Sequence, residues 1–322
     1  MSIEKEIVII MGIQASGKST AVKSYTDRGY VRLNRDDTGG SLDQLNVLLE
    51  GKIKQQYSTR FVLDNTYGKK EQRAQVIALA KKYGFNVVCH MMKTSIEEAQ
   101  FNAANRILSL PSANGVIPST ILGPNGSKLF PDPANIPVIA LFAYNKIFES
   151  PTLDEGFTEI TAMNFKRVLP KNYTNKAIIL DYDGTLRKMI GKNKFPVTPD
   201  EVVIMPNRKE VLNKWKSNGY LLLGISNQSG IEKGQLSDEA AKACFNRTNE
   251  LLGLDIDYQY CPHHSFPIRC YCRKPLPGLS VYFIRKYLLN PSECIFVGDS
   301  TSDKTCAKRS GFQYQDQKDF FA

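Results

Sequence analysis

Short apolar runs that end in polar turns recur along the chain, and most are followed by a stretch of helical periodicity. Residues 6–11 (EIVIIM) are apolar and lead into a glycine-rich turn, after which a helix starts near Lys18. Residues 59–66 (TRFVLDNT) and 85–90 (FNVVCH) read as further buried strands, with helical patterns over 69–83 and 95–108. Repetition of strand and helix predicts a parallel sheet covered by helices. Between 111 and 137, six of the 16 prolines occur together with Gly115, Gly123 and Gly126, so a loop or lid region is expected there. The pattern then restarts with 177–185 (AIILDYDGT), 220–228 (YLLLGISNQ) and 294–300 (CIFVGDS). The chain is therefore read as α/β, with two doubly wound parallel-sheet domains over 1–168 and 169–322. In open sheets of this kind ligands sit beyond the carboxyl ends of the strands, where the polar residues of each run fall.

Composition narrows this picture without changing it. A length of 322 residues suits two domains, and 42% hydrophobic with 23% charged residues supports ordinary cores, which excludes a disordered, collagenous or coiled-coil chain. No apolar run approaches the roughly 20 residues that span a bilayer, so a cytoplasmic protein without membrane contact is expected. The net charge of +10 is spread over both halves. A diffuse basic excess favours phosphate-bearing ligands, nucleic acid included. Seven cysteines, an odd number, favour a metal site or free thiols over a disulfide framework.

The first candidate site is the run from Gly12 to Thr20, GIQASGKST, which fits G-x-x-x-x-G-K-[ST] between a strand and a helix. Gly12, Ser16, Gly17, Lys18, Ser19 and Thr20 would cradle the phosphates of ATP: backbone N–H groups wrap them, Lys18 adds a full charge and the Ser19 hydroxyl ligates Mg²⁺. Asp36, in LNRDD after the first helix, is a carboxylate suited to accept the proton of an attacking hydroxyl; on spacing alone a helix-capping aspartate competes with that reading. Asp64, Asn65 and Thr66 at a strand end suit contacts with substrate or metal-bound water, against the alternative of an Asx turn.

These segments together resemble the kinase domains of polynucleotide kinase-phosphatases, as do Arg106 ahead of Ile117-Pro118 and the stretch FESPTLDEGFTEI at 148–160. The resemblance implies that Asp36 is the general base for a 5′-hydroxyl and Arg106 a lid arginine on the transferring phosphates. The 148–160 match has no evident phosphate chemistry. Gly39 and Asn102 stand where phage enzymes of this kind carry arginines, so acceptor preference is open, with Arg35, Lys52 and Lys54 as candidate substitutes.

The second candidate site opens with Asp181 and Asp183 at the end of AIIL. Two carboxylates at i and i+2 can divide the work of nucleophile on phosphorus and general acid to the leaving oxygen. Thr185, Ser226 and Asn227 could bind the phosphoryl group, Lys274 neutralise it, and Asp299 and Asp303 hold Mg²⁺ together with Asp181 and Asp183. The set is similar to that of haloacid dehalogenase-like (Rossmannoid) phosphatases. Cys261, His263, Cys270 and Cys272 have the spacing of a closed structural Zn²⁺ site, stapling a loop just before Arg273 and Lys274, with His264 as an alternative to His263. That loop looks like the one in histidinol-phosphate and heptose-bisphosphate phosphatases.

The combined expectation is a P-loop kinase followed by a phosphatase: an end-healing enzyme that transfers the ATP γ-phosphate to a 5′-hydroxyl and hydrolyses a 3′-phosphate. Its partners would be DNA or RNA ends, its place upstream of a ligase, and assembly into a homo-oligomer is left open. The alternative is a small-molecule kinase fused to a histidinol-phosphate or sugar-phosphate phosphatase.

Overall fold

The computed structural model describes residues 5–38, 40–188 and 195–322, so Gly39 lies outside the described residues. Two five-stranded, all-parallel sheets organise two compact units, one of residues 1–99 and 139–167, the other of 100–138 and 168–322. The first unit ends at Arg167. Residues 100–138 differ from that reading, because they pack with the second unit rather than with the kinase-like sheet.

In the first unit β1 (Glu6–Met11), β2 (Val31–Leu33), β3 (Arg60–Asp64), β4 (Asn86–Lys93) and β5 (Glu159–Asn164) run in the order β2-β3-β1-β4-β5. Helices α1 (Lys18–Thr26), α2 (Arg35–Thr38), α3 (Leu42–Lys54) and α4 (Lys70–Tyr83) connect these strands, and α5 (Ile96–Ile107), after β4, belongs from Gln100 onward to the second unit. Strand β1 is apolar throughout because both of its faces are covered. Ile7, Ile9 and Met11 enter one core with Leu45, Leu49, Val76 and Ala80, while Val8 and Ile10 enter another with Val22 and Met92. Each such side chain stabilises the fold by about 1.5–3 kcal/mol on burial.

The 111–137 stretch is not featureless. It contains a single 3₁₀ turn (Pro111–Ala113) and short helices α6 (Pro118–Ile121) and α7 (Gly126–Leu129), followed by α8 (Val138–Ile147). Prolines at the first helical position start the 3₁₀ turn and α6, where a missing N–H costs nothing. The stretch is tied to the second unit by Tyr271, whose backbone N–H donates to the Leu122 carbonyl at 2.8 Å and whose hydroxyl donates to the Ile136 carbonyl at 2.8 Å. Arg285 adds a bond to Asn105 at 2.9 Å.

In the second unit β6 (Ala177–Leu180), β7 (Leu221–Asn227), β8 (Asp257–Cys261), β9 (Ile295–Gly298) and β10 (Gln313–Asp316) stand in the order β10-β9-β6-β7-β8. They alternate with α9 (Arg208–Ser217), α10 (Asp238–Leu252), α11 (Gly278–Lys286) and α12 (Thr301–Ser310), and α13 (Gln317–Phe320) closes the chain. Ile178, Leu180, Leu222 and Val297 share one core with Leu212, Phe245 and Phe320. The central position of β6 puts the residues that follow it between the ends of β7 and β9.

Candidate active sites

The glycine-rich segment falls in the turn between β1 and α1. Gly17 holds φ at 91°, and a Cβ there would stand 2.8 Å from the Phe165 ring, so only glycine fits. Lys18 Nζ donates to the carbonyls of Gly12 (3.0 Å) and Ile13 (2.7 Å), folded back on the loop that would present it to a phosphate. Ser16 is fully buried, and Thr20 N–H bonds the Gly17 carbonyl in the first turn of α1. Ser19 Oγ lies 3.4 Å from Asp64 Oδ2, so a hydroxyl and a carboxylate suited to one hard cation are brought together.

Asp64 is the hub of this site. Arg32 forks onto it with Nε and Nη2, both at 3.0 Å, and Asn34 Nδ2 donates to its Oδ1 at 2.9 Å. Neither Arg32 nor Asn34 is evident from sequence; the register of β2 against β3, with Leu33 beside Leu63, brings them to Asp64. Asn65 Oδ1 accepts the Arg35 N–H at 3.2 Å, and the Thr66 carbonyl accepts the Gly12 N–H at 3.3 Å. The Asp36 side chain is 61% exposed, its backbone N–H held by Asn34 Oδ1 at 2.6 Å and its carboxylate 3.6 Å from Arg35 Nε. Lys52 and Lys54 fall on the last turn of α3. Arg106 is exposed in the last turn of α5, on the segment that belongs to the second unit.

The 148–160 stretch has a structural explanation. Arg73 of α4 is fully buried and paired bidentately with Glu155, both bonds at 2.7 Å, while its Nη1 donates to the carbonyls of Tyr67 (3.1 Å) and Glu149 (2.9 Å). A guanidinium with no access to water needs a carboxylate of fixed position and further acceptors. The segment supplies both before it continues into β5. The Arg73 bonds also hold the Glu155 carboxyl below its ordinary range, although burial alone would raise it.

In the second unit Asp181 follows the end of β6, buried, and Lys274 Nζ reaches it from across the site at 2.6 Å. The same ammonium lies 2.7 Å from Asp303 and donates to the Ile225 carbonyl at 2.8 Å. Asp303 sits close because Gly298 has no side chain: a Cβ there would stand 2.5 Å from the Asp303 Cβ. Asn227 fixes Lys274 by exchanging two bonds with its backbone, Nδ2 to the carbonyl at 3.1 Å and Oδ1 from the N–H at 3.0 Å. Asp181, Asp299 and Asp303 offer oxygens all within 4.8 Å of one another.

The electrostatics show what this group lacks. Burial pushes the Asp181 carboxyl well above the usual range, Lys274 opposing that shift and Asp303 adding to it. Asp299 is raised by burial and then by Asp303. Burial would lower Lys274, yet Asp181 and Asp303 outweigh it and hold the ammonium above its ordinary value. Three converging carboxylates with a single lysine leave negative charge unmet, and an oxygen-only donor set of this kind fits Mg²⁺.

Asp183 is held on both oxygens. Arg187 Nε donates to Oδ1 at 2.8 Å and Gln228 Nε2 to Oδ2 at 2.7 Å; neither partner stands out in the sequence. Ser226 is buried and accepts a second bond from Gln228 Nε2 at 2.9 Å. The buried Thr185 hydroxyl has no protein partner among the described residues, and so can still donate to a ligand. Arg273 Nη1 donates to the His263 carbonyl at 3.1 Å.

Cys261, at the end of β8, converges with His263, Cys270 and Cys272. Cys261 Sγ lies 3.4 Å from His263 Nδ1, 3.7 Å from Cys270 Sγ and 3.3 Å from Cys272 Sγ, and His263 Nδ1 lies 3.2 Å from Cys272 Sγ. A tetrahedral ion with bonds of about 2.0–2.3 Å needs donor separations close to these, so the cluster is compatible with Zn²⁺. Hydrogen bonds from Cys261 and Cys272 hold the Cys270 thiol far below its normal range. His264 is exposed, with its backbone N–H bonded to Glu232.

With this geometry in hand, two family models match the chain: an AAA domain over residues 7–113, and polynucleotide kinase 3 phosphatase over residues 176–322. The polynucleotide kinase 3 phosphatase model takes in the whole of the second parallel sheet, β6 to β10. The D-glycero-beta-D-manno-heptose-1,7-bisphosphate 7-phosphatase of Pasteurella multocida is 34% identical over 146 residues, 41% of this chain and 76% of the relative. Among solved structures, the B. bronchiseptica D,D-heptose 1,7-bisphosphate phosphatase complexed with magnesium and phosphate is 28% identical, covers 43% of this chain and 78% of its own, and has a TM-score of 0.40. A chain of a Pnkp1/Rnl/Hen1 complex is 15% identical, with 98% of this chain and 97% of that one covered at a TM-score of 0.34. A P-loop α/β domain that matches the AAA model, ahead of a domain that matches the polynucleotide kinase 3 phosphatase model, supports a 5′-kinase and 3′-phosphatase of nucleic-acid ends. Among the described residues no helix is long and apolar enough to cross a membrane.

Proposed function

We propose that the phosphatase domain works through a phosphoenzyme formed on Asp181. The carboxylate attacks the phosphorus of a terminal 3′-phosphate in line, the P–O3′ bond breaks, and Asp183 gives the departing O3′ its proton. Water then attacks the same phosphorus and returns a proton to Asp183, and the Asp181 carboxylate is regenerated as phosphate leaves. Lys274 and the Thr185 hydroxyl offset or bind phosphoryl oxygens, Ser226 anchors Gln228 against Asp183, and Asn227 holds Lys274 in register. Asp181, Asp299 and Asp303 would hold Mg²⁺, with the Asp183 backbone as a further ligand; when bound, the ion offsets the negative charge of a phosphate monoester facing a carboxylate nucleophile. Cys261, His263, Cys270 and Cys272 would hold a closed Zn²⁺ that stiffens the loop carrying Arg273 toward the substrate.

In the kinase domain the loop from Gly12 to Thr20 would hold the ATP phosphates, and Ser19 with Asp64 would hold the accompanying Mg²⁺. Asp36 takes the proton of the 5′-hydroxyl, and Arg35 with Asn65 and Thr66 lines the acceptor side. Products with a 5′-phosphate and a 3′-hydroxyl are what a ligase consumes, which puts this activity upstream of strand sealing.

The observation that carries the phosphatase reading is the buried Lys274 ammonium between Asp181 and Asp303. An oligonucleotide bearing a 3′-phosphate, offered beside heptose 1,7-bisphosphate, tests it. Preferential release of phosphate from the oligonucleotide is expected. Preference for the sugar would favour the second reading, which rests on the 34% identity to the heptose bisphosphatase of P. multocida.

A further inference from the structure

Arg187 stands four residues after Asp183 and is almost completely enclosed, its side chain 2% exposed. Its backbone N–H closes a turn onto the Tyr182 carbonyl at 3.1 Å, and its carbonyl accepts the Gly184 N–H at 2.9 Å, so the guanidinium is aimed back at the aspartate turn. Nε donates to Asp183 Oδ1 at 2.8 Å, and Nη1 donates to the Thr248 hydroxyl at 3.2 Å. The Thr248 hydroxyl is itself tied to the Cys244 carbonyl at 2.7 Å. The face of the group lies over the rings of Phe245, at 4.9 Å, and Tyr182, at 5.5 Å. A cation taken out of water is costly unless its partners are fixed, and here each of them is fixed by α10 or by the turn itself.

The two oxygens of Asp183 are held differently. Oδ1 faces a cation locked against α10 by Thr248 and Phe245, whereas Oδ2 faces the amide of Gln228, a neutral donor that also serves Ser226. The weaker contact is the one that can yield. We propose that Arg187 is a positioning residue for the phosphatase reaction: its hold on Oδ1 fixes the Asp183 carboxyl so that Oδ2 exchanges protons with the leaving and entering oxygens. Gln228 keeps Oδ2 in place between turnovers and gives way to the ester oxygen. The inference rests on the assignment of Asp183 as the proton donor.

The chemistry separates this role from a merely structural one. An alkoxide leaving from a 3′-phosphate needs its proton as the P–O bond breaks, whereas a nitrophenolate leaves without one. Arg187→Met should slow hydrolysis of a 3′-phosphorylated oligonucleotide by about 10²–10³-fold, within the usual range for general acid catalysis. The pre-steady-state burst of nitrophenolate from nitrophenyl phosphate should persist within a few-fold, and only its subsequent turnover should fall. Arg187→Lys should lie between the two proteins, and Thr248→Ala, which removes only the Nη1 bond, should show the same selective loss in smaller measure. Equal loss of the burst and of oligonucleotide hydrolysis in all three variants would overturn the proposal, and so would unchanged oligonucleotide hydrolysis. Asp181→Asn, run alongside, isolates the parent reading: if it kept its burst, the phosphoenzyme mechanism would fail, whatever Arg187 does.

Discussion

The two sites handle phosphate in opposite states of preparation. In the phosphatase domain Asp181, Lys274 and Asp303 are already joined, with side-chain exposures of 9%, 3% and 1%. In the kinase domain Asp36 points into solvent, and Lys18 is folded onto the carbonyls of its own loop. A carboxylate nucleophile must be fixed before its substrate arrives, because its own desolvation is part of the barrier. A base that activates an incoming hydroxyl can wait for the acceptor to exclude water. The contrast predicts that the phosphatase tolerates almost no change at its centre, while the kinase depends on what ATP and acceptor organise.

The sharpest way to break the comparison is Asp181→Asn. It should remove at least about 10⁴-fold of phosphate release from 3′-phosphorylated ends, since an amide cannot act as the nucleophile, while 5′-phosphorylation of a labelled oligonucleotide persists. If both activities fell together, the sites would not be independent. Lys18→Ala is the mirror experiment, with an expected loss of about 10²–10³-fold in phosphoryl transfer and unchanged phosphatase, read in the same two assays.

Smaller effects probe the scaffold. Glu155→Ala leaves the fully buried Arg73 without its counter-charge and should destabilise the first domain by about 3–5 kcal/mol in denaturant unfolding. The pH dependence carries the same signature: because the Glu155 carboxyl is held below its ordinary range in the folded state, its contribution is complete above that range. It disappears as the solution is acidified through the folded value. Glu155→Gln should flatten that acid limb, so identical acid limbs in wild type and variant would remove the Arg73 pair from the account. Cys270→Ser should lower bound zinc, measured by metal analysis, from about one atom per chain to well below it.

The central strands were legible because both of their faces are buried, which turns them into continuous apolar runs such as EIVIIM and AIIL. Strands β5, β8 and β10 escape that reading for the complementary reason. They lie at sheet edges with partly exposed faces, and their sequences, EITAMN, DYQYC and QYQD, are too mixed to announce a strand. Side chains that converge, Ser19 with Asp64 and Asp181 with Lys274 and Asp303, could be singled out from their motifs. Arg32, Asn34, Arg187 and Gln228 could not, because their importance arises from parallel register or a turn closure that joins them to Asp64 and Asp183. The 148–160 segment was recognisable without being intelligible until Arg73 was seen beneath it.

Tyr271, bonded to Leu122 and Ile136, alters how this molecule can be dissected. Ending the polypeptide at Arg167 would yield a fragment that retains residues 100–138 but has lost the surface on which they rest. A faithful excision of the phosphatase must carry that excursion along, joined by an artificial bridge to residue 168, and a minimal kinase needs a short splice between Ala99 and Ile139 in its place. The polypeptide is cut from two interleaved lengths, and its genetic midpoint is not its architectural seam.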